Sequence, residues 1–583
     1  MNVLTVDLVI IGAGPAGLAA AEAALHEFSA EPRFVSTRRG ARASRRSEGS
    51  APRGAGADSA PTSAGRSFSR TDAAPRIVVI DSADQPGGQF WRHRTESAVT
   101  DDGRLHHGWD DYLALRAGFD AGIAAGVIDY RPATSVWMVE QTSLPRNAGA
   151  PDDAQTDVDP TITGPETAVL ADGAGFTVHT APSHGPTPAA GPLQAAPASG
   201  TPSPVVRARR LVIATGGYDR QLPIPGWDLP GVMAAGGIQG FAKQNGMLPG
   251  SRFVIAGTGP FLLPVAANVT DLGGHVAAVL ESSSLTGWLS HAHRAAGVPA
   301  KAVEGAEYAW TFLRHRIPYR TRTVITEILG DGRVEAVTTA RIDRHGAVIP
   351  GTEATLENID AVGLGWGFTP QLELPVSLGA RTRVDVDGSL VAVVDEAQRS
   401  SVPGLFFAGE VTGVGGAVLA VAEGRLAGAR AAADVTGTRP ADRTMDHRRG
   451  SDHPRGADLT ATGRTIARHR AFAEAMHRAH PVPPGWTDRL TPETIVCRCE
   501  EVPASTIAEA RATLEADDAR AQKNMTRAGM GWCQGRECGF AVTCLAAGTP
   551  AAASESSSVH VSLAQTMKRP VAQPVPLSTF FDL

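Results

Sequence analysis

The chain contains very little cysteine, and all of it lies near one end. The five cysteines among 583 residues fall at or after position 497. Disulfide bonds cannot hold the preceding residues together, which excludes a disulfide-stabilised secreted scaffold and favours a cytoplasmic location. No two cysteines have the Cys-x-x-Cys spacing of a redox-active thiol pair, so disulfide reductase chemistry is also excluded.

Aromatic residues, net charge and long apolar runs are also scarce. Aromatic side chains make up 5% of the chain, and the formal net charge is only -6, with a pI near 6.3. Such a chain has no global attraction for a polyanion, so nucleic acid is not an expected partner. No segment reaches the ~18 uninterrupted apolar residues that a membrane span requires, so we expect no span.

Small residues are abundant, and in places they form low-complexity segments. Three such segments lie near residues 33–74, 141–170 and 181–204. Their compositions bury too little apolar surface to offset the entropy of ordering. We interpret them as insertions into a folded chain.

A glycine-rich turn joins an apolar strand to a helix near residue 12. Residues 7–11 form the strand, Gly12, Gly14 and Gly17 follow at G-x-G-x-x-G spacing, and residues 18–25 are helix-forming. The first glycine permits a tight turn, the second admits a pyrophosphate close to the backbone, and the third lets the helix pack on the strand. The motif predicts a dinucleotide site.

A second apolar strand, beyond the first insertion, completes this unit. Residues 76–80 form the strand, and Asp81 follows where a carboxylate can accept hydrogen bonds from a ribose. The glycine-containing loop after it, with Gly88 and Gln89, allows the chain to pass close to a bulky cofactor.

An altered dinucleotide motif lies in the middle of the chain. Gly257 and Gly259 follow one predicted strand, and Glu281 ends the next. Leu262 occupies the third glycine position and Pro264 follows it, so we expect the helix to kink and to be pushed away from the strand. The absence of an arginine after Glu281 argues against NADP and leaves NADH and other nucleotides open.

Four of the five cysteines fall in two close pairs that flank a predicted helix: Cys497, Cys499, Cys533 and Cys538. Thiolates at these spacings can bind one soft metal centre, which is either a [2Fe-2S] cluster or a tetrahedral zinc. Cys544 is interpreted as a small core residue.

Two further segments resemble flavoproteins of the glutathione reductase type, which have two dinucleotide-binding domains. These are residues 211–217, with Thr215 and Gly216, and residues 404–410, with Gly409 and Glu410. The resemblance implies an α/β fold with FAD rather than NAD at the first site. It also implies that a carboxylate of the second segment binds the ribityl hydroxyls of the flavin.

The cysteine block resembles a narrower family. Residues 526–538, together with residues 216–233 and 257–264, are similar to the flavoprotein subunits of opine oxidase, hydrogen cyanide synthase and hydroxyproline or sarcosine dehydrogenases. This resemblance implies FAD and a [2Fe-2S] cluster. We favour an iron-sulfur cluster over zinc because a cluster can relay electrons from a neighbouring flavin, whereas zinc would have no such use.

The same resemblance implies an electron-transfer subunit of a heteromeric dehydrogenase that oxidises an opine, hydroxyproline, sarcosine or glycine. A companion flavoprotein subunit of amino-acid-oxidase type would take hydride from the carbon next to nitrogen. This chain would pass the electrons through FAD and the cluster to a quinone or another acceptor, so none of its side chains is predicted to be catalytic. A self-sufficient NADH-dependent reductase and a non-enzymatic redox sensor are the alternatives.

We therefore predict a two-dinucleotide-domain α/β flavoprotein with a small, mainly α-helical [2Fe-2S] domain. The predicted divisions are an FAD-binding domain of residues 1–230 plus 359–436, a second nucleotide-binding domain of residues 231–358, a linker of residues 437–490, a [2Fe-2S] domain of residues 491–546, and an extended tail of residues 547–583.

Overall fold

The structure is a computed structural model that describes the following residues: 3–29, 75–95, 103–142, 175–183, 205–437, 459–548, 557–575 and Thr579. The predicted insertion at 33–74 and most of the other two insertions lie outside them. So do parts of the predicted linker and tail.

The described residues contain both helices and strands in alternation. The α-helices are α1 Pro15–Ser29, α2 Trp109–Ala124, α3 Ala235–Asn245, α4 Leu262–Asp271, α5 Ala292–Ala295, α6 Pro299–His315, α7 Glu373–Ser377, α8 Ala417–Thr436, α9 Leu459–Ala479, α10 Ala504–Leu514, α11 Ala519–Thr526, α12 Gly539–Ala547 and α13 Ser557–Met567. Short 3-10 turns cover Gly103–Leu105, Leu285–His291, Gly409–Thr412 and Trp486–Arg489.

The strands in these residues are β1 Leu4–Ile11, β2 Ile77–Ile80, β3 Ile128–Arg131, β4 Thr134–Thr142, β5 Gly175–Pro182, β6 Val205–Ile213, β7 Gly217–Asp219, β8 Val232–Ala234, β9 Arg252–Gly257, β10 His275–Glu281, β11 Tyr319–Thr321, β12 Thr323–Leu329, β13 Ala336–Arg341, β14 Ala354–Glu357, β15 Ala361–Gly365, β16 Phe368–Pro370, β17 Thr382–Val384, β18 Leu390–Ala392, β19 Leu405–Phe407, β20 Ile495–Cys497 and β21 Val502–Pro503.

The larger sheet has seven strands in the order β3-β2-β1-β6-β5-β4, with β19 also paired to β6. Strands β3, β2, β1, β6 and β19 run parallel, and Ile11 in β1 pairs with Ile80 on one side and Ile213 on the other. The carboxyl ends of these strands therefore meet at one edge. The turns after β1, β6 and β19 are brought together there, as ligand sites at the ends of parallel strands require.

Helix α1 packs directly on helix α8 behind this sheet. A Cβ added at Gly424 would lie 2.1 Å from the Ala16 carbonyl oxygen, and one at Gly428 would lie 2.1 Å from that of Ala20. Glycines at these two positions allow the helices to touch backbone to backbone. The predicted Ala-rich helix after the first motif is buried as expected, and it is longer than predicted.

The second sheet has five parallel strands in the order β11-β10-β9-β15-β8. A three-stranded antiparallel sheet, β12-β13-β14, adjoins it, and three two-stranded pairs complete the described strands: β16-β7, β17-β18 and β20-β21. A mixed, mainly parallel sheet and a fully parallel sheet, each with its own helices, confirm the predicted α/β class. In the part of the chain that is described, no helix combines the length and apolar character needed to cross a bilayer.

Two helices lie within segments that the sequence predicted to be a linker and an extended tail. Helix α9 lies within the predicted linker and packs on α8, and helix α13 lies within the predicted extended tail and packs on α11 and α12. In α13 the side chains of Val559, Leu563 and Met567 are buried at i, i+4, i+8 spacing. This apolar stripe explains the helix, because burial of one apolar face against neighbouring helices stabilises it.

Candidate functional site

A cavity of about 2100 Å³ lies at the carboxyl ends of the parallel strands of the two larger sheets. Its wall includes ten of the predicted cofactor-binding residues: Gly12, Gly14, Asp81, Gly88, Gln89, Thr215, Gly216, Gly409, Glu410 and Gly259. The other three predicted residues, Gly17, Gly257 and Glu281, lie behind the wall and support it.

The glycine-rich turn after β1 is built by close backbone contacts. Gly12 has φ +103°, and a Cβ there would lie 2.3 Å from the Ala214 carbonyl oxygen. A Cβ on Gly17 would lie 1.7 Å from the Gly12 carbonyl oxygen, and one on Gly88 would lie 2.8 Å from the Gly14 Cα. A side chain at these positions would push the backbone segments apart and distort the turn that a pyrophosphate would approach.

The carboxylate of Asp81 is tied to this turn. Its Oδ2 accepts a hydrogen bond from the Ala13 N–H, and its Oδ1 accepts one from the Ala83 N–H at 2.7 Å. Burial raises the pKa of Asp81, against the opposing effect of these two N–H groups and of Arg92. The group still reaches the cavity, where its remaining acceptor capacity suits the hydroxyls of a ribose.

The turn after β19 presents an incompletely bonded carboxylate to the cavity. Glu410 Oε1 accepts a hydrogen bond from the Gly416 N–H at 3.1 Å, whereas its buried Oε2 has no partner among the described residues. Burial raises the pKa of this group. A buried acceptor on a cavity wall requires a donor, and the ribityl hydroxyls of FAD fit that requirement.

This turn is held by an ion pair that the sequence did not reveal. Glu423 on α8 is 1% exposed, and its Oε2 accepts hydrogen bonds of 2.9 Å from the Gly409 N–H and the Thr412 hydroxyl. Its Oε1 accepts from Arg470 on α9 at 2.6 Å, and Arg470 also donates to the Gly413 carbonyl at 2.7 Å. Arg470 lies in the segment 437–490 that is predicted from the sequence to be a linker, so no sequence feature pointed to this ion pair.

At the second dinucleotide motif the carboxylate is sealed inside the protein. Glu281 is fully buried, and it accepts hydrogen bonds from the Gly259 N–H at 2.9 Å and the Ser283 N–H at 2.8 Å. His480, which follows α9, places its Nδ1 3.4 Å from Glu281 Oε2. Its Nε2 accepts a hydrogen bond from the indole N–H of Trp288 at 2.9 Å, which fixes the position of the ring beside the carboxylate.

The expected displacement of helix α4 does not occur. Leu262 is fully buried as the first residue of α4, and a Cβ on Gly365 would lie 2.9 Å from its side chain. A glycine on the neighbouring strand β15 thus makes the room that the missing third glycine would have made. Pro264 is the third residue of the helix, where an N–H has no partner within the helix, so it removes no hydrogen bond.

The four predicted metal ligands lie in two pairs. Cys497 and Cys538 are almost fully buried, and a hydrogen bond from the Cys538 thiol lowers the pKa of Cys497 to about 6. Cys499 is exposed and Cys533 half-buried, and their sulfur atoms lie within 4.8 Å of each other and of a Glu537 carboxylate oxygen. Each pair joins one cysteine from each loop. Cys544 is buried in α12.

The segment that carries the four predicted ligand cysteines, here called the cysteine unit, packs on residues 217–228. These residues begin at the cavity wall and lead away from it. Arg536, between Cys533 and Cys538, donates from Nε to the Tyr218 hydroxyl at 2.7 Å. The Trp227 indole N–H donates to the Ile495 carbonyl at 2.5 Å. Since Tyr218 lines the cavity, the cysteine loop and the cavity are separated by two side chains. Arg536 lies inside the cysteine motif, but no sequence feature identified Tyr218 as its partner.

Comparison with known proteins agrees with this architecture. Residues 199–433 match the family model described as pyridine nucleotide-disulphide oxidoreductase. The chain is 30% identical over 484 residues to an opine oxidase subunit of Rhizobium meliloti (strain 1021), covering 81% of this chain and 87% of that one. It is 31% identical over 343 residues to the hydrogen cyanide synthase subunit HcnB of Pseudomonas aeruginosa, covering 57% and 69%.

Among solved structures, that of an L-proline dehydrogenase from P. horikoshii covers 99% of this chain with 80% of its own length, at a TM-score of 0.54 and 15% identity. That likeness shows the fold alone. The sequence similarity to the opine oxidase subunit spans most of both chains, and the resemblance predicted from the cysteine block is confirmed. The chain belongs to the family of FAD-dependent oxidoreductases that includes this opine oxidase subunit.

Proposed function

We propose that this chain is the electron-transferring FAD and [2Fe-2S] subunit of a heteromeric dehydrogenase that oxidises CH–NH or CH–NH2 donors. The observation that carries the proposal is the convergence of two cysteine pairs beside the wall of the cavity that fits FAD. Four thiolates satisfy a [2Fe-2S] cluster, and a cluster has a use where electrons must leave a flavin one at a time.

The residues available for each cofactor are distinct. FAD would be held by the turn of Gly12 and Gly14, by Asp81 on the adenosine ribose, and by Gly409 and Glu410 on the ribityl chain. When bound, FAD supplies the two-electron chemistry and the cluster supplies single-electron transfer. The chain's own part is to bind and orient these groups and to exclude water from them.

The four cysteines would hold the cluster, with an inner pair, Cys497 and Cys538, and an outer pair, Cys499 and Cys533. The outer pair is closer to solvent, which gives a final acceptor such as a quinone access to that side. The neighbouring Glu537 carboxylate is an alternative oxygen ligand, and a zinc ion is the alternative occupant, so iron content must be measured.

The companion and the substrate are proposed from the relatives. The opine oxidase relative and the hydrogen cyanide synthase relative are each named as a subunit, which supports a companion chain here. We propose that the companion is a flavoprotein of amino-acid-oxidase type and that the substrate is an opine, hydroxyproline, sarcosine or glycine. We also propose the division into FAD, second nucleotide and [2Fe-2S] domains, and the cytoplasmic location.

A self-sufficient NADH-dependent reductase is the second candidate, because the second parallel sheet has the dinucleotide topology. The state of Glu281 counts against it. Unlike Asp81, it is fully buried and does not reach the cavity wall, so it does not offer acceptors to the ribose of NADH. A redox sensor without turnover is the third candidate.

The cofactor assignment is tested on anaerobically purified chain. We expect about one FAD and about two iron atoms per chain, the stoichiometry of a single [2Fe-2S] centre. Cys497→Ser should lose the iron and its visible absorbance, whereas Cys544→Ala, a matched loss of a buried thiol outside the two pairs, should keep both. Retention of iron in Cys497→Ser, or zinc in place of iron in the parent protein, would overturn the four-cysteine cluster.

The catalytic assignment is tested by the choice of reductant. NADH should leave the flavin of the isolated chain oxidised, and an opine, hydroxyproline, sarcosine or glycine should bleach it only after the companion flavoprotein is added. Rapid bleaching by NADH alone would establish the second candidate instead. Failure to turn over any amine with an artificial acceptor, in the reconstituted complex, would favour the sensor.

A further inference from the structure

A buried group of charges connects the cysteine loop to the cavity. Arg536 donates from Nη1 to the Cys533 carbonyl at 3.3 Å and from Nε to the Tyr218 hydroxyl at 2.7 Å. The same Nε lies 2.9 Å from Glu373 Oε1, and Nη2 donates to the Ala572 carbonyl at 2.5 Å. One guanidinium therefore contacts the metal-site loop on one side and the cavity wall on the other.

The charges in this group do not cancel. Glu373 is 1% exposed, and Arg569 Nη1 lies 3.3 Å from its Oε1, the same oxygen that faces Arg536. Two guanidinium groups thus share one carboxylate, which leaves a net positive charge in the group. Both arginines are within electrostatic range of Cys533. Burial keeps this charge from being screened as a surface charge would be.

We propose that Arg536 is a positioning residue that raises the reduction potential of the cysteine-bound centre and fixes Tyr218 between that centre and the flavin cavity. The inference rests on the proposed function. Each transfer removes one electron from the reduced flavin and adds one to the centre. Two transfers return the flavin to its oxidised form, its two protons pass to solvent, and the final acceptor takes the two electrons. Addition of negative charge to the centre is favoured by a nearby buried cation.

Charge variants with opposite expected signs separate this role from a merely structural tether. Arg536→Gln should make the midpoint potential of the centre more negative, whereas Glu373→Gln, which removes the only acid of the group, should make it more positive. Arg536→Lys should stay near the parent value. Arg527→Gln is the matched control, because Arg527 pairs with Glu500 at 2.8 Å but its side chain is 67% exposed, so its loss should leave the potential unchanged.

The readout is an anaerobic redox titration of the full chain, with the reduced centre followed by electron paramagnetic resonance and visible absorbance. Opposite shifts in Arg536→Gln and Glu373→Gln, at unchanged iron content, support the proposal. Unchanged potentials in both variants overturn it, and so does a shift of the same sign in both. If Arg536→Gln cannot keep its iron, the test rests on Glu373→Gln alone. A more positive midpoint potential in that variant supports the proposal, and an unchanged or more negative one overturns it.

Tyr218→Phe tests the second part of the proposal. It removes the hydroxyl that binds Arg536 and leaves the buried charges in place, so flavin reoxidation should slow while the potential of the centre stays near the parent value. Unchanged reoxidation would overturn the role of Tyr218. A parent protein that contains no iron would instead show that the proposed function itself is wrong, whereas a loaded parent with unresponsive variants refutes only this inference.

Discussion

Replacement of Arg470 by alanine tests whether helix α9 supports the FAD site. The guanidinium donates to Glu423 Oε1 from Nη2 at 2.6 Å and from Nε at 3.1 Å, and to the Gly413 carbonyl at 2.7 Å. The other oxygen of Glu423 binds the Gly409 N–H and a threonine hydroxyl. Loss of the arginine therefore leaves a buried carboxylate without its cation, next to the turn that presents Glu410 to the cavity.

The expected cost follows from burial. Removal of one partner from a buried ion pair costs about 3–5 kcal/mol, because the remaining charge stays desolvated. The Arg470 side chain is 27% exposed, and water can partly replace it. We therefore expect the lower bound, about 3 kcal/mol, which is a factor of roughly 10² in an equilibrium constant.

The same helix supplies a matched control. Arg478 pairs with Glu474 at 2.7 Å, but the two side chains are 47% and 34% exposed. An exposed pair of this kind contributes about 0–1 kcal/mol, so Arg478→Ala removes the same atoms from α9 at little cost. The two variants differ mainly in whether the partner carboxylate is buried.

The assay compares FAD retention in the two variants and the parent protein. FAD per chain is measured by absorbance after gel filtration, and its release on heating is followed by flavin fluorescence. Arg470→Ala should be purified with less FAD and release it at a lower temperature, whereas Arg478→Ala should match the parent. Identical release temperatures in the two variants would refute the inference that α9 stabilises the turn through Glu423.

Three further predictions concern the two nucleotide motifs and the cavity. Gly88→Ala should lower FAD content, because φ is +61° and the new methyl group would meet the Gly14 Cα, whereas Gly332→Ala, at φ +72° with no atom within 4 Å, should not. Burial raises the pKa of Asp219 to about 6, so its contribution to stability is present below its ordinary value of 3.8 and is lost as pH rises through 6. Asp219→Asn should therefore flatten the fall in thermal midpoint over that pH range. Glu281→Gln should destabilise the chain by about 2 kcal/mol in urea titrations, since it weakens the acceptors of two buried N–H groups, and should leave the response to NADH unchanged.

Local rules predicted the parts of the site that are local in the sequence. The turn at Gly12 and Gly14 and the strand that leads to Asp81 follow from glycine conformation and apolar runs, and the insertion between them did not obscure the pattern. The cysteine pairs were identifiable because their spacing is short. In each case the residues that determine the geometry are within a few positions of one another, or belong to two well-defined segments.

The remaining features depend on partners that are distant along the chain. Gly365 compensates for Leu262 from a strand about a hundred residues later, and no rule applied to the motif itself could identify it. Arg470 lies in a tract whose composition resembles a solvated linker, yet its partner is a glutamate inside an Ala-rich helix. Glu373 has no motif at all, and only the fold brings it to Arg536.

The segment after β6 explains why the flavin cavity and the cysteine unit adjoin so closely. Thr215 and Gly216 line the cavity, and three of the residues that follow contact the cysteine unit. Tyr218 binds Arg536, the Arg220 guanidinium lies 4.3 Å from the Phe540 ring centroid, and the Trp227 indole binds the Ile495 carbonyl. One short stretch of backbone therefore fixes both sites relative to each other.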